Sequence, residues 1–218
     1  MLDDADAVAL EAAQRILQSA ARAIAARGLF RIVLAGGRTP EAAYRLLVGA
    51  DTDWSRWEIY FGDERCLPVD DAERNSLMAA RALLDAVAIP AANVHSIPAE
   101  HGAEAAAKAY QPVIKAALPF DLVLLGIGED GHTASLFPGQ QHPAGQLVHA
   151  VHNAPKPPPD RVSLGAGALS EAREVLILVT GAGKRAAIKA WRAGEPLPIA
   201  AIGGPASVDV LLDRAAQA

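Results

Sequence analysis

The chain has 218 residues, and 20 Lys+Arg against 25 Asp+Glu give a formal charge of −5. An acidic balance argues against a general nucleic-acid binder, 21% charged residues argue against wholesale disorder, and a single cysteine, Cys66, excludes an intramolecular disulfide framework. The hydrophobic class is 51% of the chain, and even without its 48 alanines enough larger apolar residues remain for a core. No run of about 18 apolar residues predicts a membrane span. Met1-Leu2-Asp3-Asp4 lacks the basic start of a signal peptide, so the cytoplasm is the expected compartment.

The first predicted element is a long alanine-rich helix from Asp3 to Arg27, ended by Gly28. Arg31 to Ala35 is a short β-branched strand followed by Gly36-Gly37. Thr39-Pro40-Glu41 then opens a helix, with Thr39 as N-cap and Pro40 at its first position. Glu58 to Phe61 reads as a strand ending at Gly62, and Asn75 to Leu84 as a helix. Another helix runs from Glu104 to Leu118, kinked or split by Pro112. Phe120 to Leu125 and Glu174 to Val179 are nearly continuous apolar runs, the pattern of strands buried on both faces of a parallel sheet. Asn153 to Asp160, with Pro155, Pro157, Pro158, Pro159 and the single cation Lys156, reads as a rigid surface loop. Ala182 to Trp191 is a helix and Val208 to Leu212 a last strand. This alternation predicts one α/β domain over residues 1–218: an open, doubly wound, mostly parallel sheet with helices on both faces.

Ligands of such sheets bind outside the carboxyl ends of the strands. Four loops there are rich in Gly and charge. Gly36-Gly37-Arg38-Thr39-Pro40 offers backbone N–H groups to an anion, or is only a tight turn. Gly62-Asp63-Glu64-Arg65-Cys66-Leu67-Pro68 is either a surface turn or a site edge where Arg65 meets an oxyanion. Gly126-Ile127-Gly128-Glu129-Asp130-Gly131-His132 contains a literal G-x-G-x-x-G. A dinucleotide fingerprint also needs a later acid, and residues 132–159 contain no Asp or Glu. The Asp130/His132 pair suits proton transfer instead, with a structural His as the bland reading. Thr180-Gly181-Ala182-Gly183-Lys184-Arg185 is not a Walker loop, since Arg185 replaces the required Ser/Thr, but Lys184 suits an anion. His149 and His152, with His142 upstream, hint at a metal, yet residues three apart on a strand face opposite sides, and no metal site is expected. Cys66 is a candidate nucleophile beside Arg65 or, more simply, a small buried hydrophobe.

In order along the chain, four segments resemble the 6-phosphogluconolactonase family: Ala35 to Pro40, Gly62 to Pro68 with Asn75, Gly126 to Pro138, and Arg161-Val162-Ser163-Leu164 with Gly181-x-x-Lys184. The resemblance implies a fold related to glucosamine-6-phosphate deaminase and ribose-5-phosphate isomerase. It implies hydrolysis of 6-phospho-D-glucono-1,5-lactone in the oxidative pentose phosphate pathway, with no obligatory cofactor. The expected partner is a phosphorylated sugar lactone, with neither nucleic acid nor membrane, and a monomer is favoured. His132, Arg65 and Asp130 are the expected catalytic residues. Gly36, Gly37, Arg38, Thr39, Asp63, Arg161 and Lys184 are the expected substrate contacts. After the shared Asp-Gly-His core the deaminases typically continue Ile-Ala-Phe-Asn-Glu-Pro. Here the chain reads Thr133-Ala134-Ser135-Leu136-Phe137-Pro138, which favours the lactonase over the deaminase or a non-catalytic sugar-phosphate sensor. Arg38 and Arg74 both stand where the family usually has Ser. Arg38, Arg65, Arg161 and Lys184 together predict a local basic pocket on an acidic protein.

Overall fold

The computed structural model describes residues 1–141, 143, 145–203 and 207–217. Its elements in chain order are α1 (Ala5–Arg27), β1 (Phe30–Leu34), α2 (Arg38–Leu47), β2 (Trp57–Phe61), β3 (Asp63–Arg65), α3 (Asn75–Ala82), β4 (Val94–His95) and α4 (Ala103–Ala117). There follow β5 (Phe120–Gly126), β6 (Val148–Val151), β7 (Arg161–Leu164), α5 (Ala166–Ser170), β8 (Ala172–Val179), α6 (Arg185–Arg192) and β9 (Ser207–Leu212). Among the described residues, six strands form one sheet in the order β4-β2-β1-β5-β8-β9, and every pairing in it is parallel. A second, antiparallel sheet has the order β3-β7-β6.

The central strands are apolar because helices cover the sheet. Ile32, Val33, Val123, Leu124 and Ile177 are fully shielded from solvent. Trp57 packs edge-on against Phe30 at 4.8 Å between ring centroids, joining the starts of β1 and β2. α1 begins where Asp4 accepts a hydrogen bond from the Ala7 N–H, and ends where Gly28 turns left-handed. Ionic contacts fix its far end: Arg27 reaches the buried carboxylate of Asp121 on β5, and Arg22 the partly exposed carboxylate of Glu174 on β8.

Four local expectations need correction. Thr39 does not cap α2. The cap is Gly37 at φ 106°, while Thr39 Oγ1 shares a hydrogen bond of 2.6 Å with Thr180 Oγ1, tying the starts of two loops together. Pro112 neither kinks α4 into two nor ends it. It sits on the exposed face with Lys108, where the carbonyl it leaves unbonded meets solvent. The helix expected from Ala182 begins instead as a 3-10 turn, Ala182–Lys184, before α6. The loop reading of residues 63–65 also fails, because this stretch pairs with β7 as β3.

The strand order places the site. From β1 the chain crosses to β2 on one side, whereas from β5 it crosses to β8 on the other. The connections therefore diverge between β1 and β5, and a crevice opens at their carboxyl ends.

Candidate active site

The crevice is a cavity of about 220 Å³, walled by Gly36, Asp63, Arg65, Gly128, His132 and Lys184 among others. It is built by the loops after β1, β2, β5 and β8, with the small sheet as a side wall.

The loop after β5 carries the acid–base pair. Gly128 N–H donates to the His132 carbonyl at 2.7 Å, and Thr133 Oγ1 donates to the Gly126 carbonyl at 2.9 Å. The turn they close brings Asp130 Oδ1 to 2.5 Å from His132 Nδ1. Only glycine fits at 128, since a Cβ there would lie 2.0 Å from His132 Nδ1 and 2.5 Å from Asp130 Oδ1. The ring rests against Phe137 at 4.8 Å. With Nδ1 held by a carboxylate, Nε2 is the nitrogen left for chemistry. Burial pushes the imidazole below its ordinary value, and the hydrogen bond and charge of Asp130 only partly offset this. His132 is therefore neutral at neutral pH. Burial would raise Asp130, but the hydrogen bond and charge of His132 outweigh it and hold the carboxyl below its usual range.

β3 supplies a wall by strand alternation. Asp63 and Arg65 face the cavity, whereas Glu64 points the other way into the core. Glu64 accepts hydrogen bonds from the Arg65, Asn75 and Ser76 N–H groups at 2.9, 2.7 and 2.9 Å, capping the start of α3. Asn75, thus fixed, donates through Nδ2 to Asp63 Oδ1 and fills the space above Gly36, where a Cβ would lie 2.1 Å from Asn75 Oδ1. Ser135 Oγ donates to Asp63 Oδ2 at 2.6 Å. Burial pushes the Asp63 carboxyl above its usual range despite Ser135, Arg65 and Arg161 nearby.

Arg65 and Arg161 stand directly opposite each other in the β3–β7 register. Like charges in that relation are destabilising unless something anionic lies between them. Arg65 Nη1 donates to the Glu73 carbonyl, and its buried Nε has no hydrogen-bond partner. Lys184, half-buried, is pushed below the ordinary lysine value by burial, with Glu129 opposing.

The structure thus brings Gly36, Gly37, Asp63, Arg65, His132, Arg161 and Lys184 to one cavity, with Asp130 behind His132. Arg38 and Thr39 do not line it. Arg38 is exposed, although its charge is felt at Lys184, and Thr39 is turned to Thr180. Arg74 is turned away and buried, its guanidinium on Glu64, Glu100 and the Ile97 carbonyl. Asn75 and Ser135 also belong to the site. Both stand in segments that carry the family resemblance, but a polar residue at a helix start or beside an apolar pair gave no local reason to assign it a role. Burial and Asp160 push the half-buried Cys66 thiol up to about 11, which disfavours the thiolate a nucleophile needs. His149 is buried, while His152 is exposed between Asp160 and Glu104, and His142 lies outside the described residues.

Residues 3–211 match the family model described as glucosamine-6-phosphate isomerases/6-phosphogluconolactonase. The chain belongs to this family. A 6-phosphogluconolactonase of Mycobacterium tuberculosis is 41% identical over 99% of this chain and 95% of its own length. The crystal structure of the 6-phosphogluconolactonase from Thermotoga maritima superposes with a TM-score of 0.89 at 29% identity, covering 97% of each chain. A monomeric glucosamine-6-phosphate deaminase shares the fold, with a TM-score of 0.84 at 21% identity over 98% of this chain and 96% of its own. The chain thus has the mostly parallel α/β architecture common to both branches of the family.

Proposed function

We propose that this protein is a 6-phosphogluconolactonase, hydrolysing 6-phospho-D-glucono-1,5-lactone to 6-phosphogluconate in the oxidative pentose phosphate pathway of the cytoplasm. The observation that carries this reading is the Asp130–His132 pair at the carboxyl end of β5, facing a cavity walled by three cations. His132 Nε2 takes a proton from water as the water oxygen bonds to the lactone carbonyl carbon. The negative charge that develops on the carbonyl oxygen is met by the guanidinium of Arg65, which lines the cavity. Asp130 holds the ring tautomer and stabilises the imidazolium. When the tetrahedral intermediate collapses, the bond from C1 to the ring oxygen breaks and His132 returns its proton to that oxygen. A positioned general base contributes ~10²–10⁴-fold, and one oxyanion donor ~10²–10³-fold. For an already reactive lactone these terms suffice without a metal or a covalent intermediate.

Gly36, Gly37 and Lys184 would hold the sugar phosphate, with Arg161 contributing its charge from the cavity wall, Arg38 adding charge at the mouth and Thr39 bracing the loop. Asp63, fixed by Asn75 and Ser135, would meet a sugar hydroxyl. The reading takes the protein as a monomer working as one α/β domain. The test follows lactone consumption by purified protein alongside His132→Ala. The wild type should outpace spontaneous hydrolysis, and the variant should lose about 10²–10⁴-fold in kcat/KM while remaining folded. No acceleration by the wild type, or full activity in the variant, would sink the reading. Ammonia release from glucosamine 6-phosphate would instead reveal a deaminase.

A further inference from the structure

The amino ends of the parallel strands carry a second cluster of charge, which has no task in the mechanism above. A cavity of about 170 Å³ opens there, lined by Arg27 at the end of α1, Leu29, Arg31 on β1, Pro119, Asp121 on β5 and Arg173 on β8. β5 is seven residues long, so about 20 Å of strand separates this cavity from the crevice at the carboxyl ends.

One carboxylate faces three guanidinium groups. Asp121 is buried, and both its oxygens are engaged. Arg27 donates to Oδ1 from Nε and Nη2 at 3.1 and 2.5 Å, and the Arg31 N–H donates to Oδ2 at 2.8 Å. Arg27 thus balances the charge of Asp121, and Arg173 Nε reaches Oδ1 only at 3.5 Å. Glu58 stands opposite Arg31 in the β1–β2 register, but its carboxylate meets His95 Nε2 at 2.6 Å instead. Among the described residues, the guanidinium groups of Arg31 and Arg173 make no hydrogen bond. Both therefore line the cavity with donors to spare, on a protein whose net charge is −5. Their planar forks match the oxygens of a phosphate group, and such an anion between them turns mutual repulsion into charge-assisted hydrogen bonds. The cavity is smaller than the ~300 Å³ at which pockets for whole small molecules begin, so it takes one such group rather than a nucleotide.

We infer that Arg31 and Arg173 form a second anion site, for inorganic phosphate or the phosphate group of a small monoester, at the end of the sheet opposite the crevice. The site is independent of the reaction proposed above.

The test is calorimetric titration with inorganic phosphate, glycerol 2-phosphate and acetate, with ionic strength held constant by sodium chloride. Lys184→Met serves as the background because it removes a cation of the crevice, and Arg31→Gln and Arg173→Gln are each added to it. One phosphate should still bind to Lys184→Met, and either added substitution should raise its Kd about tenfold or more, the usual scale for a hydrogen bond to a charged group. Half of the Arg173 side chain is exposed, so Arg173→Gln should keep its Tm in chloride while losing the rise in Tm that phosphate gives the background protein. Phosphate binding that survives both substitutions unchanged, or that vanishes with Lys184→Met alone, would overturn the site. Acetate binding as tightly as phosphate would overturn its specificity. Glycerol 2-phosphate binding as well as phosphate assigns the site to a monoester, and much weaker binding assigns it to the free ion. A wild type that fails to turn over the lactone would defeat the proposed reaction and leave these binding constants as they are.

Discussion

At the scale of single residues, chemistry here depends on which nitrogen of His132 is occupied. Asp130 takes Nδ1, and burial keeps the ring neutral. The base is therefore active above its own pKa, which lies below the ordinary histidine value near 6.5. kcat/KM should hold through neutrality and fall as the pH drops through that lowered pKa. Asp130→Asn removes a group that raises the pKa, so the acid limb should move to still lower pH. The maximal rate should fall as well, by up to about 10⁴-fold, because the amide no longer fixes the tautomer or balances the imidazolium. A pH–rate profile of the two proteins checks both effects. An acid limb that moves upward would count against this arrangement.

At the scale of elements, five of the six parallel strands were legible, whereas the two-residue β4 and the small sheet were not. Phe120 to Leu125 and Glu174 to Val179 announce themselves because both their faces are covered by apolar neighbours. β3 has no such mark. Asp63-Glu64-Arg65 is buried through hydrogen bonds and ion pairs, and charge in a sequence reads as exposure until the partners are known. The partners lie far along the chain, so nothing local reports them. The motif loops, by contrast, were readable, because Gly-rich turns and an Asp-Gly-His core leave local traces. Two predictions belong at this scale. Gly128→Ala should keep most of the thermal stability yet lose at least about tenfold in kcat, since the added methyl collides with the Asp130–His132 pair. Glu64→Gln should destabilise by about 3–5 kcal/mol in urea titrations, because it leaves buried Arg74 short of a counter-charge at the start of α3. A small stability change would mean that Glu100 alone satisfies that guanidinium.

At the scale of the whole molecule, a net charge of −5 coexists with a cavity lined by Arg65, Arg161 and Lys184. The local field, not the total, governs the approach of a small dianion. Raising ionic strength from about 0.02 to 0.2 M shortens the screening length to below about 10 Å. KM for the phosphorylated lactone should then rise several-fold while kcat stays level. Steady-state kinetics at the two salt concentrations measures this. Beyond that, no described helix is long and apolar enough to cross a membrane.

The side wall of the cavity hangs on a hydrogen-bond ladder of its own. None of β3, β6 or β7 pairs with any strand of the parallel sheet. β3 is spliced in after β2, and β6 and β7 between β5 and β8. The two sheets thus have separate ladders but one core, joined where the Leu164 N–H donates to the Gly62 carbonyl at 2.8 Å. Residues 153–159 form a loop seated on Arg161 of the cavity wall, so exchanging that loop for a relative's would change the wall without touching the register of the parallel sheet.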